Sequence, residues 1–234
     1  MNIAIVQSRM GSKRLPGKMM MRIGRYTLIE WVIKRLKKSK SINKIILVTS
    51  QKRDDQIFKN ISQKLKINFF AGNEKDVLGR FVNSVKKVKK ANIIRVCADK
   101  PFIEPREIDR LIKFYKNKNY DYVCNRQIFN NVYCTGFGAE ILSLDLLRKL
   151  DKLVKKKTFR EHVTLYLWKN KKKFKLYPLE ANKGLAHPNL NFDIDFPRDY
   201  KMIKNLVEKF NININTQASK IISYRLKELK EINK

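Results

Sequence analysis

A chain of 234 residues with 53 Lys and Arg against 21 acids carries a formal charge of +32, and 43% of it is hydrophobic. That apolar share excludes a disordered basic tail, the length suits one α/β core better than two domains, and no apolar run nears the roughly 18 residues that span a bilayer. The basic residues are mostly Lys in scattered clusters such as Lys37-Lys38, Lys86-Lys87, Lys155-Lys156-Lys157 and Lys171-Lys172-Lys173, so they read as compositional decoration of exposed helix faces rather than as one nucleic-acid-binding face.

Ile3 to Val6 predicts a buried strand, and it runs into the basic, Gly-bearing loop Gln7-Ser8-Arg9-Met10-Gly11-Ser12-Lys13-Arg14-Leu15-Pro16-Gly17-Lys18. Gly11 and Gly17 allow backbone conformations that turn amides toward an anion, while Arg9, Lys13, Arg14 and Lys18 supply charge. The pattern is neither a P-loop nor a dinucleotide fingerprint. Thr27-Leu28-Ile29-Glu30 is a capping box that opens a helix over about 28–39. Lys44 to Ser50 predicts a strand buried on both faces. A helix follows from Asp54, with Ile57, Phe58, Ile61 and Leu65 inward, then a strand from Ile67 to Phe70.

Val77, Leu78, Phe81, Val82, Val85 and Val88 form one stripe of a helix over about 75–90, and Asn92 to Ala98 is a further strand ending on Asp99-Lys100-Pro101. Pro105 suits the first turn of a helix to about residue 117. Beyond it the pattern predicts a strand at Tyr120 to Cys124, strands within Asn131 to Leu142, and a helix capped by Ser143 that ends near Leu150. Thr158-Phe159-Arg160-Glu161 reads as a second capping box leading through His162 to Trp168. An edge strand at Phe174 to Leu179, an alternating segment from Leu190 to Asp195, a helix from Pro197 to Phe210 and an amphipathic helix from Thr216 to Ile232 complete the chain. Repeated strand and helix make right-handed βαβ crossovers and a mostly parallel sheet the expected α/β fold, with ligands at the carboxyl ends of its strands.

Asp99 and Asp195 each end an apolar segment and precede a Pro within two residues, which aims a carboxylate over the sheet edge. One or two carboxylates together with substrate phosphates suit Mg²⁺. Capping of the next helix is the plainer role for such acids, and it is the one expected of Asp199. The basic loop, the glycines and the two carboxylates suit nucleotidyl transfer, in which a cation and basic side chains stabilise charge on the α-phosphoryl group and on departing pyrophosphate. Nucleotide hydrolases use similar parts. Cys97, Cys124 and Cys134 match no zinc spacing and form no even disulfide set, and the start of the chain lacks a charged-then-apolar leader, so a reducing cytoplasm is expected.

Residues 5–18 resemble the signature I-I-Q-A-R-M-G-S-x-R-L-P-G-K of the spore-coat polysaccharide F type cytidylyltransferases, relatives of the enzymes that make CMP-Kdo and CMP-sialic acids. The resemblance continues at Gly72 to Phe81 (G-x-x-x-D-V-L-x-R-[FY]), Arg95 to Pro101 (R-[IV]-T-G-D-x-P), Arg160-Glu161-His162-Val163-Thr164 (R-E-H-V-T) and Asp195 to Asp199 (D-T-P-E-D). It implies a Rossmann-like three-layer α/β/α nucleotide-diphospho-sugar transferase (GT-A-like) fold, with a cytidylyltransferase domain over 1–210. Residues 211–234, which match no motif, would be a C-terminal amphipathic helical extension of the same domain.

By the same resemblance Arg9 and Lys18 are the catalytic cations. Gln7, Ser8, Arg9, Gly11, Ser12, Arg14, Lys18, Asp76 and Arg80 meet the nucleotide; Glu140, Arg160, Glu161 and His162 face the acceptor; Asp99 and Asp195 hold Mg²⁺. The implied partners are CTP and a small acidic sugar or sugar phosphate, with no nucleic acid and no membrane insertion, and a homodimer left open. Ala98 replaces the family's Gly, Lys100 stands where a small residue is common, and Thr135 to Glu140 resembles D-G-L-D-V-E without either Asp. A sugar-nucleotide-dependent glycosyltransferase of the same architecture and a non-catalytic polyanion-binding protein are the competing readings.

Overall fold

The computed structural model describes residues 1–127 and 131–232. Strand β1 (Asn2–Gln7) leads through the basic loop to the short hairpin β2 (Arg22–Ile23) and β3 (Tyr26–Thr27), then to helix α1 (Leu28–Leu36). β4 (Lys44–Ser50), α2 (Ile57–Lys64), β5 (Asn68–Gly72), α3 (Val77–Ser84) and β6 (Asn92–Cys97) continue the alternation. They are followed by α4 (Pro105–Asn117), β7 (Tyr122–Cys124), β8 (Glu140–Ser143), α5 (Leu144–Leu153), α6 (Lys157–Glu161) and α7 (Leu165–Lys169). β9 (Leu176–Pro178), α8 (Pro197–Lys209) and α9 (Ala218–Ile232) close the chain.

The main sheet has the order β5-β4-β1-β6-β8-β7-β9. β1 pairs in parallel with β4 and β6, β4 with β5 and β7 with β9, while β8 runs antiparallel to β6 and β7. The period-2 geometry of β1 sends Ala4 and Val6 to a core shared with α1, α4, α8 and α9, and Ile3 and Ile5 to a second core shared with α3 and α5. Helices thus cover both faces, and the layers are α/β/α. Among the described residues no helix is long and apolar enough to cross a membrane.

The Thr27/Glu30 capping box forms: Glu30 donates its amide to Thr27 Oγ1, and the Glu30 carboxylate accepts from the Thr27 amide at 2.9 Å. Ser143 caps α5, and Asp199 accepts from the Asp195 and Phe196 amides at the start of α8. Several expectations fail for local reasons. The segment from Asp54 begins as a 3₁₀ turn at Arg53–Gln56, which rotates Ile57 to the surface. α3 stops at Ser84, so the 75–90 stripe is only partly helical. Within 131–142 strand geometry begins at Glu140, with a lone bridge from Thr135 to Asn191 that is also the whole strand content of Leu190 to Asp195. The second capping box is absent: α6 starts at Lys157 without a side-chain cap, and the chain turns at His162 before α7.

The terminal helix is fastened by a buried charge. Arg35, 1% exposed, donates to the carbonyls of Ile103 (2.7 Å) and Thr216 (2.8 Å) and to Glu104 Oε2 (3.2 Å). The same carboxylate oxygen accepts the Ala218 amide at 2.7 Å, so one ion pair joins α1, the start of α4 and the start of α9. Ala218, Ile221 and Ile222 add the apolar half of the contact. Residues 233–234, the end of the expected extension, lie outside the described residues. Replacing one member of a buried ion pair strands the other charge. Arg35→Ala is therefore expected to lower unfolding free energy by about 3–5 kcal/mol in urea titrations, with amide exchange in 218–232 rising before that of the sheet.

Candidate active site

A cavity of about 390 Å³ opens at the carboxyl ends of β1 and β6. Its wall contains Gln7, Ser8, Arg9, Ser12, Lys13, Arg14, Lys18, Arg80, Asp99, Glu161, His162 and Asp195, together with Met19, Val77, Cys97 and Ala98. Eleven of the sequence-predicted site residues, counting Gln7, Ser8, Arg9, Ser12, Arg14, Lys18, Arg80, Asp99, Glu161, His162 and Asp195, therefore share one space.

The loop is shaped before any ligand arrives. Ser8 donates its amide to the Val48 carbonyl at 3.1 Å, and Met10 donates to Asp55 Oδ1 at 2.6 Å. Gly17 and Ser12 both donate to the Met10 carbonyl, closing the turn. Gly17 has φ +69°, the left-handed region that favours glycine, and leads into a 3₁₀ turn that begins with Lys18. Gly11 differs from expectation: its φ is not positive, and no atom lies within 4 Å of where a Cβ would sit. Asp55 is a residue the sequence reading missed. Buried at 3% exposure and also accepting from Ser50 Oγ, it moors the loop to the end of β4; the signal was an acid pair five residues past a strand, read only as a helix start.

Asp99 and Asp195 come together because Ile194 donates its amide to the Asp99 carbonyl at 2.9 Å. Lys18 Nζ lies between them, 3.1 Å from Asp195 Oδ1 and 3.8 Å from Asp99 Oδ2, and donates to the Ile194 carbonyl at 2.6 Å. Arg14 reaches the same Asp195 oxygen at 2.6 Å. Asp99 Oδ1, Gln7 Oε1, Ser8 Oγ and Arg80 Nε are buried with no hydrogen-bond partner among the described residues. Unpaired buried polar atoms are costly, so their concentration on this wall points to a polar ligand.

No group of three or more His, Cys, Asp or Glu suited to a metal occurs among the described residues. Two hard carboxylates flanking one cation-sized place, one of them with an orphan oxygen, nevertheless fit a Mg²⁺ whose remaining ligands are substrate phosphates and water.

Asp76, Arg160, Glu140 and Gly11 do not line the cavity. Asp76 caps α3 through the Gly79 amide and takes Arg160 bidentately, Nε to Oδ1 at 2.9 Å and Nη2 to Oδ2 at 2.8 Å. Arg160 also donates to Asp151 Oδ1 at 2.6 Å and to the carbonyls of Asp151 and Val154. Its donors are committed to joining α3, α5 and α6, and this joint holds Glu161 and His162 at the cavity. Burial opposes ionisation of Asp76, but the Arg160 guanidinium and the Gly79 amide together outweigh it and lower the carboxyl below its usual range. Arg80 lines the cavity while donating to the carbonyls of Asn73 and Glu74 at 3.0 and 3.1 Å.

Glu140 is 1% exposed and paired with Arg95 (2.8 Å) and Arg126, inside the sheet behind the cavity. Burial alone would raise its carboxyl, yet the two guanidiniums bring it down to about 2. Asp193, unremarked in the sequence, is pushed by burial up to about 6 against the pull of the Lys100 ammonium. Lys100, 6% exposed, donates to the Gly138 carbonyl at 3.5 Å.

A family model described as a cytidylyltransferase matches residues 3–232. The chain is 35% identical to the uncharacterized protein MJ1063 of Methanocaldococcus jannaschii, over 99% of this chain and 93% of that one. It is 31% identical to the spore coat polysaccharide biosynthesis protein SpsF of Bacillus subtilis, over 94% and 91%. The solved structure of a cytidylyltransferase from Leptospira borgpetersenii superposes with a TM-score of 0.90 at 26% identity, covering 98% of this chain and 96% of that one.

Glu140 supplies a pH test of the buried network. Its folded pKa lies below the usual 4.5, so its stabilising contribution is present above that value and is lost as pH falls toward 2. Glu140→Gln is expected to cost about 3–5 kcal/mol at pH 7. Urea midpoints of wild type and variant should converge as pH drops below 4.5.

Proposed function

The chain belongs to the cytidylyltransferase family, and on that premise we propose that it transfers CMP from CTP to an acidic sugar or sugar phosphate with release of pyrophosphate, in a Mg²⁺-dependent reaction that feeds surface glycan synthesis. The observation that carries this reading is the cavity itself, where the cationic loop after β1 faces the joined pair Asp99 and Asp195.

Arg9, Lys13, Arg14 and Lys18 are placed to bind the triphosphate, and the Arg80 guanidinium adds charge from α3. Gln7 Oε1 and Ser8 Oγ offer unfilled hydrogen-bonding capacity at the floor. Asp99 and Asp195 would hold Mg²⁺, which when bound supplies Lewis acidity at the phosphoryl oxygens. An acceptor oxygen attacks the α-phosphorus in line, the bond from that phosphorus to the α,β-bridging oxygen breaks, and pyrophosphate leaves with the electron pair. Lys18 and the arginines offset the charge that builds on that leaving group. A carboxylate or phosphate acceptor oxygen needs no base; for a hydroxyl, Glu161 and His162, at the end of α6, are proton acceptors on the cavity wall.

The name of the Bacillus subtilis relative ties that protein to a coat polysaccharide, which supports an acceptor from surface glycan synthesis. Pyrophosphate release should require CTP, Mg²⁺ and one member of a panel of 3-deoxy and nine-carbon acidic sugars and their phosphates. CTP with Mg²⁺ should raise the melting temperature more than UTP, ATP or GTP does. Asp99→Asn is expected to lower kcat by on the order of 100-fold; retention of turnover and of Mg²⁺ dependence in that variant would refute the carboxylate assignment.

A further inference from the structure

Two of the cations that the triphosphate should meet are engaged with the carboxylates that the metal should meet. Lys18 is 6% exposed, and its ammonium touches the Ile194 carbonyl, Asp195 and Asp99 at 2.6, 3.1 and 3.8 Å. Arg14 takes the same Asp195 oxygen at 2.6 Å from the solvent side, its own side chain being 54% exposed. The buried ammonium therefore stands where a cation shared by both carboxylates would stand.

We propose that Lys18 guards the metal place between Asp99 and Asp195, so that the divalent cation enters only together with the nucleotide. This rests on the reading of those two aspartates as the metal pair. An ammonium and a divalent cation cannot share so small a space between the same two carboxylates, because like charges a few ångströms apart repel. Free metal must displace Lys18 into a cavity whose other walls are mostly cationic, with Arg9, Lys13, Arg14 and Arg80 against the one further carboxylate, Glu161. A triphosphate supplies that anion: its oxygens accept the ammonium and the Arg14 guanidinium, and the carboxylates are released to the metal in the same exchange.

The exchange asks for movement of a side chain that borders the open cavity. Gly17 and the 3₁₀ turn hold the Lys18 main chain, with Met21 donating to the Lys18 carbonyl at 3.1 Å, while the four-carbon stem has four rotatable bonds by which the ammonium can turn toward the cavity it lines. Nucleotide and metal then bind with positive coupling, each raising the affinity for the other by the same factor. The device protects the site from idle occupation by metal alone.

Mn²⁺, standing in for Mg²⁺, provides the test through the paramagnetic resonance signal of the free ion in titrations of the full chain, without turnover. Wild type should bind Mn²⁺ weakly when alone and at least about 10-fold more tightly with the α,β-methylene analogue of CTP. Lys18→Met, which keeps the apolar stem, should bind Mn²⁺ without nucleotide at least about 10-fold more tightly than wild type, and Lys18→Met with Asp99→Asn should lose the gain. Lys18→Gln serves as a second variant and should show the same gain in nucleotide-free affinity. Equal nucleotide-free affinities in wild type and both Lys18 variants, with Asp99-dependent binding retained in the presence of the analogue, would overturn the guard and leave the metal pair standing. Absence of Asp99-dependent Mn²⁺ binding even with the analogue would overturn both.

Discussion

One backbone hydrogen bond, from the Ile194 amide to the Asp99 carbonyl, decides what this cavity can be. It joins the end of β6 to the segment before α8 and brings two carboxylates, remote in the chain, to either side of one small place. The sheet order then puts β1, and the loop that leaves it, directly beside β6. Anion-seeking and cation-seeking groups meet at one strand edge because neighbouring parallel strands end at the same side of the sheet.

Acids are scarce here, 21 against 53 basic residues, and many of the buried ones serve as joints. Glu104 ties α9 to the body through Arg35, Glu140 pairs with two arginines, and Asp76 anchors Arg160 across three helices. In the Arg35 and Arg160 joints the several donors of one guanidinium reach separate segments, a task for which the planar arginine fork suits better than lysine. The surface lysines make few such contacts, in keeping with their scattered distribution.

The architecture was legible because it is written in local pattern. Continuous apolar runs at Lys44 to Ser50 and Asn92 to Cys97 are what doubly covered strands require, and Thr27 with Glu30 announces a helix by its own chemistry. The failures share the converse feature. Thr158 and Glu161 have capping-box spacing, but the Arg160 joint turns the chain at His162 and ends the helix there. Loose alternation through Thr135 to Ala139 finds only one bridge, since Gly138 is pressed so close to the Asn125 carbonyl that a Cβ has no room. Motif matching found Asp76, Glu140 and Arg160 as residues of the site region, but it could not reveal that their charges are satisfied by one another's neighbours rather than turned to the cavity. Asp55 was missed because its role depends on the Met10 amide, 45 positions away.

The Arg160 joint also bears on how such an enzyme diversifies. The wall that carries Glu161 and His162 and the helix that carries Arg80 are fastened by the Arg160 guanidinium and by a shared apolar core that includes Phe81 and Val163, so a backbone shift on one side drags the other. Moving residues 157–162 would therefore disturb the Arg80 side of the cavity as well. Substitution of the side chains at positions 161 and 162, on a backbone left in place, is the open route, and the joint thereby channels variation of this wall into a few positions while leaving the opposite wall undisturbed.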